Sequence, residues 1–289
     1  MTRAREFRKL LADADIIRAP GVYDGITARL VEQAGFPVVY MTGAGTSISR
    51  GYPDFGLLTQ TEMVDNAAVI ARTVKVPVIA DADTGYGNEL NVTRTVNEYE
   101  HAGVSAIHIE DQVSPKRCGH LDDKEIIPLD EYMAKIRAAA SARRDPDFVI
   151  IARTDARAVN GFDDAIARAN AALSCGADVA FVEAVRSMDE LQAVPKRVKG
   201  PCLLNIVVGG KTPDLDLVAA REMGYRIAIM PSILITSVME ACDAVLANLK
   251  QSDKPPSSDG RMSVKERFDR FGAAYWNELR TKFHDMPKN

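Results

Sequence analysis

Cysteine, aromatic side chains and long apolar or basic runs are all scarce in this chain, and each scarcity removes a class of protein. Its 289 residues hold four cysteines, Cys118, Cys175, Cys202 and Cys242. They lie far apart and lack metal-ligand spacing, so free thiols are expected in place of disulfides or a zinc site. No stretch reaches the roughly 18 apolar residues of a membrane span. The N-terminal Met1-Thr2-Arg3-Ala4-Arg5-Glu6-Phe7-Arg8 leads into polar sequence without the apolar core of a signal peptide. These absences predict a cytoplasmic protein that does not enter a membrane. Aromatic residues make up 6%, the formal charge is -4, and no basic face is interleaved with aromatics. Nothing there offers a footprint for nucleic acid, and a small-molecule partner is expected. What the chain does have is 46% hydrophobic residues, enough for one large core or at most two smaller ones.

Those residues recur in short runs: Ile16 to Ala19, Val38 to Met41, Val76 to Ala80, Ala106 to Ile109, Phe148 to Ala152, Val179 to Val182, Pro201 to Asn205 and Arg226 to Met230. Between them lie stretches of helical spacing, such as Thr61 to Val74 and Phe162 to Ser174, rich in alanine. Several of these end in a glycine before the next run (Gly35, Gly103, Gly176, Gly224), as helix C-caps do. Alternating strands and helices predict a parallel sheet. An open doubly wound sheet would share the alternation. The polar residues favour a closed (β/α)8 TIM barrel, because catalytic groups of barrels come from the C-terminal ends of several strands. Here Thr42, Asp81, Asp83, Glu110, Asp111, Arg153, Asp155, Glu183 and Asn205 all follow apolar runs. The barrel is expected over residues 1–250. Beyond it, Gln251 to Gly260 reads as a linker within a C-terminal arm, 251–289, whose amphipathic segment runs from Val264 to about Phe283.

Two constellations carry chemistry. In Asp81-Ala82-Asp83-Thr84-Gly85-Tyr86-Gly87 the alternate carboxylates face the same way at a strand end. With Glu110 from the next strand they make a hard oxygen set of the kind magnesium takes, manganese being the alternative. Strand-end aspartates also serve simply as helix caps or turn formers. The second is Glu110-Asp111-Gln112-Val113-Ser114-Pro115-Lys116-Arg117-Cys118-Gly119-His120, too polar for a core. A cysteine beside Lys116, Arg117 and His120 is expected to sit in a positive field that lowers its pKa, on a loop able to move. The bland reading is a surface cysteine in a basic loop.

Lys116-Arg117-Cys118-Gly119-His120 resembles the signature of the isocitrate lyase and phosphoenolpyruvate mutase superfamily, in its usual place after the fourth strand. The similarity extends through Tyr40-Met41-Thr42-Gly43-Ala44-Gly45, Pro53-Asp54-Phe55-Gly56, the Asp81 to Gly87 segment, Ile151 to Ala156 and Phe181-Val182-Glu183, from residue 5 to about 250. It is closest in motif to the methylisocitrate lyases. The resemblance implies a magnesium-dependent carbon-carbon lyase that cleaves 2-methylisocitrate, or a related substituted malate, in a reverse Claisen-type reaction. It implies that Asp54, Asp81, Asp83 and Glu110 hold the metal directly or through water. Cys118 would be the acid, Tyr40 the base and Arg153 the binder of the 2-oxo acid portion, with Glu110 and His120 also in the catalytic set. Thr42, Gly43 and Ala44 would hold a carboxylate. Asp54, Lys116, Gly119, His120, Glu183 and Asn205 would line the substrate, and His108 is either a further lining residue or a satisfied core histidine.

Three departures bear on the substrate. The superfamily's methylisocitrate lyases usually carry serine and two glycines where this chain has Thr42-Gly43-Ala44. The segment Asn205 to Pro213 resembles the branch of petal death protein and dimethylmalate lyase, with Val208 in place of a usual glutamate, which suits an alkylmalate. Pro231 stands where oxaloacetate hydrolases tend to have serine. A mutase acting on phosphoenolpyruvate or a carboxyphosphonate is the alternative on the same scaffold, although the phosphonomutases lack the cysteine signature. A binding protein without catalysis leaves the strand-end carboxylates unexplained. Members also commonly exchange their last barrel helix. With Phe268, Phe271, Tyr275, Trp276 and Phe283 in the arm, a homotetramer is expected, whether the exchanged element is the arm or the helix before the linker; a helix folded back on its own barrel is the plainer reading.

Overall fold

All eight apolar runs become strands of one sheet: β1 Ile17–Val22, β2 Val39–Met41, β3 Val78–Asp81, β4 Ala106–Glu110, β5 Val149–Thr154, β6 Val179–Val182, β7 Cys202–Asn205 and β8 Ile227–Met230. The structure is a computed structural model that describes residues 2–257 and 260–284. Every pairing is parallel and sequential, and β8 closes on β1 with Ile17 opposite Ile227 and Pro20 opposite Met230. The sheet is therefore a (β/α)8 barrel, and the open alternative is excluded. β1 runs past Ala19 because Gly21 and Val22 still find partners in Tyr40 and Met41 of β2.

Strand alternation divides the side chains into two sets. One set fills the barrel: Ile17, Ile79, Val149, Ile151, Val179, Leu203 and Ile227, with Phe7 and Leu11 of the helix Arg3–Asp13 packed on them. The other, including Val39, Val78, Ile107, Ile109 and Ile150, packs outward against the helices. Each fully buried side chain of this size contributes about 1.5–3 kcal/mol. One step further along the inward set, the residues change character. Asp81, Glu110, Arg153, Glu183 and Asn205 replace the aliphatics at or just past the C-terminal strand ends, so the same period of two that builds the core delivers a polar layer on top of it.

The helices start and stop as the sequence signals. Gln60–Thr73 opens on a capping box of Thr59 and Glu62. All four expected C-cap glycines, Gly35, Gly103, Gly176 and Gly224, have left-handed φ between 85° and 104°.

Contacts divide the chain into two units, Met1–Thr236 and Ser237–Asn289. The helix Ile233–Ser252 crosses that division, and the expected linker follows it, with Ser258 and Asp259 outside the described residues. The amphipathic segment forms two helices, Val264–Asp269 and Ala273–His284, interrupted where Gly272 takes φ 85°. Phe268, Phe271, Tyr275, Trp276 and Phe283 are all exposed. Among the described residues no helix is long and apolar enough to cross a membrane.

Candidate active site

The polar layer resolves into three linked groups. At the first, the Lys116 ammonium, 3% exposed, pairs with Asp54 and stands 3.1 Å from Asp83 Oδ1. That second contact is an ion pair too poorly directed to be a hydrogen bond, since Asp83 Oδ1 finds no donor. Burial pushes the Asp83 carboxyl up to about 6, Lys116 only partly opposing it. Lys116 is itself held well above its ordinary value, because Asp83 and Asp54 outweigh the cost of burying its charge.

In the second group Asp81 Oδ1 accepts from the Asp83 N–H at 2.9 Å and Oδ2 from the Gly43 N–H at 3.2 Å. A Cβ on Gly43 would collide with this carboxylate. The Gly43 amide thus meets a carboxylate of the protein itself. Thr42 caps the helix Gly43–Ser49 by accepting from the Gly45 N–H, with Ala44 in its first turn. His108, opposite Asp81 in register, lies 2.9 Å from the Tyr40 hydroxyl through Nε2. Burial, with Arg153 nearby, drives the imidazole down to about 3, so it is neutral. His108 therefore belongs to both readings, a buried histidine that is also the floor of the polar layer. Burial and Asp81 raise the Tyr40 pKa well above that of an ordinary phenol, so its hydroxyl holds its proton beside His108.

Arg153 is the centre of the third group. Its Nη1 lies 3.1 Å from Glu110 Oε2, its Nη2 lies 3.3 Å from Glu183 Oε2, and its Nε donates to Asp155 at 2.9 Å. Glu110 is fully buried, neither of its oxygens accepts a hydrogen bond, and burial lifts its pKa well above the usual carboxylate range. Burial acts the same way on Glu183, but Arg153 and the His120 imidazole outweigh it and hold that carboxyl well below the range. Asn205 Nδ2 donates to Glu183 Oε2 at 3.1 Å. His120 Nδ1 accepts from the Lys211 N–H at 3.0 Å, which leaves Nε2 to carry the ring proton, 3.4 Å from Glu183.

The cysteine motif spans these groups. Gly119 lies so close to Arg153 and Glu183 that any side chain there would displace one of them. The thiol environment differs from the expected positive field. Lys116 is spent on Asp54 and Asp83, and Arg117 turns outward, half-exposed, over the Phe55 ring and towards Asp123. Burial, reinforced by Asp54, raises the Cys118 pKa, so the thiol is held protonated. Of the three side chains expected around the thiol, Arg117 is thus the one that points outward. The sequence reading missed Lys124 and Arg168 and gave Asp155 no role. Asp155 at the end of an apolar run was visible as a strand-end polar residue, whereas nothing in the local sequence distinguishes Lys124 from a surface lysine.

Among the described residues no three acidic, histidine or cysteine side chains close up into a ready metal shell. The donor set nevertheless fits a hard divalent cation. Asp54, Asp81, Asp83 and Glu110 lie within electrostatic reach of one another around Lys116 and Arg153, Asp83 Oδ1 and both Glu110 oxygens accept no hydrogen bond, and burial raises the pKa values of Asp81, Asp83 and Glu110 in spite of those two cations. Magnesium takes one or two carboxylates and fills the rest of its octahedron with water and substrate oxygens.

A family described as phosphoenolpyruvate phosphomutase matches residues 7–250. The chain is 44% identical over 272 residues to the 2,3-dimethylmalate lyase of Eubacterium barkeri, covering 94% of this chain and 93% of that protein. It is 45% identical over 244 residues to the 2-methylisocitrate lyase of Aeropyrum pernix, covering 84% and 79%. Among solved structures, oxaloacetate acetylhydrolase in complex with the inhibitor 3,3-difluorooxalacetate superposes with a TM-score of 0.94 at 38% identity, over 99% of each chain.

Proposed function

The chain belongs to the phosphoenolpyruvate mutase and isocitrate lyase superfamily, and from that premise we propose that it is a magnesium-dependent carbon-carbon lyase. Its proposed reaction is cleavage of 2-methylisocitrate to pyruvate and succinate, or of a related substituted malate such as 2,3-dimethylmalate. One observation carries the reading: a buried arginine flanked by carboxylates of opposite protonation tendency, with a protonated thiol on the loop beside it. Asp54, Asp81, Asp83 and Glu110 are the residues proposed to hold magnesium, directly or through water. When bound, the metal would chelate a carboxylate and hydroxyl of the substrate and lower the hydroxyl pKa.

The chain's own groups then divide the work. Arg153 faces the carboxylate of the departing oxo acid and stabilises charge developing on it. Removal of the hydroxyl proton falls to Tyr40 or to Glu110, whose two oxygens accept no hydrogen bond and so have room for a proton. The carbon-carbon bond breaks, its electron pair passes to the carboxylate-stabilised carbon of the other fragment, and Cys118 protonates that carbon. Thr42, Gly43 and Ala44, with Lys116, Gly119, His120, Glu183 and Asn205, shape the walls. Loop coverage by Cys118 to His120 excludes water, which an enediolate needs if its protonation is to be controlled.

The test is a panel with magnesium: 2-methylisocitrate, isocitrate, 2,3-dimethylmalate, oxaloacetate and phosphonopyruvate, each followed by release of the 2-oxo acid or oxalate. Cleavage of an alkylmalate or 2-methylisocitrate at least about 100-fold faster, in kcat/KM, than turnover of the last two is expected, a gap of at least about 2.7 kcal/mol. Turnover of phosphonopyruvate or oxaloacetate alone would move the assignment to a mutase or hydrolase. All four cysteines are free, which supports a cytoplasmic address.

Assembly is the second part of the proposal: a homotetramer with exchanged C-terminal elements around barrels ending near residue 250. Val238, Met239, Val245, Leu246 and Leu249 of the helix Ile233–Ser252 are exposed, as are the arm's aromatics, and apolar stretches of this extent are covered in stable proteins. Removing residues after Gln251 should lower the solution mass and cut turnover. A full-length monomer, or a truncated chain with unchanged mass and activity, rejects it.

A further inference from the structure

Lys124 follows the cysteine motif in a polar loop, yet its side chain is 1% exposed. Its Nζ donates to the Gly119 carbonyl and, at 2.9 Å, to Asp155 Oδ1. A buried ammonium persists only where its charge is balanced and its donors are satisfied, so these two acceptors define where Lys124 ends. Asp155 is held from behind. Its backbone N–H donates to Asp111 Oδ1 at 2.8 Å, and Asp111 in turn accepts from Thr154 at 2.6 Å and from Arg168 at 3.2 Å. In front, the Asp155 carboxylate accepts from Arg153 twice, through Nε at 2.9 Å and Nη2 at 3.3 Å. One anchored carboxylate therefore aims the guanidinium through both oxygens and, through the shared Oδ1, grips the ammonium that grips the residue next to Cys118.

We propose that Lys124 is a positioning residue that couples the seat of the Cys118-Gly119 segment to the orientation of Arg153. The coupling deepens the lyase reading and rests on it for its catalytic meaning, while the contacts themselves do not. Without the ammonium, the Gly119 carbonyl loses its partner and, among the described side chains, Arg153 is left as the one cation paired with Asp155 while it also faces Glu110 and Glu183. The loop and the guanidinium would loosen in the same step, although neither side chain had been changed. A lysine that merely filled space would lower stability and leave both where they are.

The experiment measures Cys118 directly. Lys124→Met and wild type are treated with iodoacetamide in the presence of magnesium chloride and oxalate, with glutathione as the rate reference, and labelling is read peptide by peptide. Cys118 should be labelled about tenfold faster or more in the variant, and kcat on the cleaved substrate should fall much further than KM rises. Lys124→Arg, which restores a cation, should recover part of both. Buried Cys202 reports folding: if it too is labelled, the variant has unfolded, and Lys124→Gln, which retains one donor, replaces it. An unchanged Cys118 rate in whichever of the two folds overturns the proposal, even with a lowered melting temperature. If wild type cleaves nothing on the panel, the lyase reading has failed, and the labelling comparison still decides the coupling.

Discussion

Asp83→Asn is expected to reduce turnover by at least about a thousandfold at millimolar magnesium, because a neutral amide replaces a charged oxygen ligand at a site with few of them. Asparagine is the informative substitution. Asp83 has a left-handed φ of 46°, a conformation that asparagine tolerates and alanine does not, so the backbone survives the change. In the wild type the same group sets a pH dependence. Its carboxyl is raised from an ordinary 3.8 to about 6 by burial, hence protonated below that pH, and a cation binds the deprotonated form. Magnesium affinity should therefore weaken as pH falls through 6, approaching tenfold per unit. The stability sign follows. A raised folded-state pKa favours the metal-free fold below the unfolded value and loses that favour as pH rises through 6, so magnesium should raise the melting temperature more at pH 7.5 than at pH 5.5. Titration calorimetry and melting curves at the two pH values measure both effects. Full turnover in excess chelator, or affinity that does not change between pH 5 and 7, would sink the metal assignment.

The origin of that site explains which parts of the molecule could be read ahead of the structure. Strand order, barrel closure and the strand-end candidates follow from local patterns, apolar runs, a period of two and glycine caps, because β2 to β7 each carry a polar residue at or just past the C-terminal end, whereas Asp54 and the roles of the cysteine motif follow from the family resemblance. Register adds the rest: Glu110 lies opposite Arg153 and Asp81 opposite His108 without further specification. Charge state is a different matter. The field at Cys118 differs from the one its sequence neighbours suggest because neighbours in sequence are not neighbours in space: Lys116 turns to Asp54, a residue 62 positions earlier. The raised pKa of Tyr40 has a related origin, since burial beside Asp81 is a property of the closed barrel and not of the strand. Lys124 and Arg168 act through Asp155 and Asp111 across 31 and 57 positions, and no local pattern marks them.

Cys118→Ser should retain the fold and magnesium affinity and lose about 10²–10⁴ of the turnover, the range that a positioned general acid supplies. A serine hydroxyl occupies nearly the same space but is a far weaker acid than a thiol. The environment sharpens this contrast. Burial and Asp54 already press the thiol towards its protonated form, so in the wild type the proton is present throughout the neutral range, ready for delivery to a carbanion. They also predict where the wild-type profile ends. An acid acts only while protonated, and raising its pKa moves the loss of activity to more alkaline pH, so turnover should persist past the ordinary thiol range instead of falling within it. In Cys118→Ser that alkaline limb should vanish from the residual activity, because no group titrates there in its place. Metal affinity supplies the control, since Cys118 is outside the proposed ligand set. A pH profile of kcat for both proteins, with magnesium affinity measured alongside, distinguishes the outcomes. Near-normal turnover by the serine variant would remove Cys118 from the protonation step, and an alkaline limb unchanged by the substitution would assign that titration to another group.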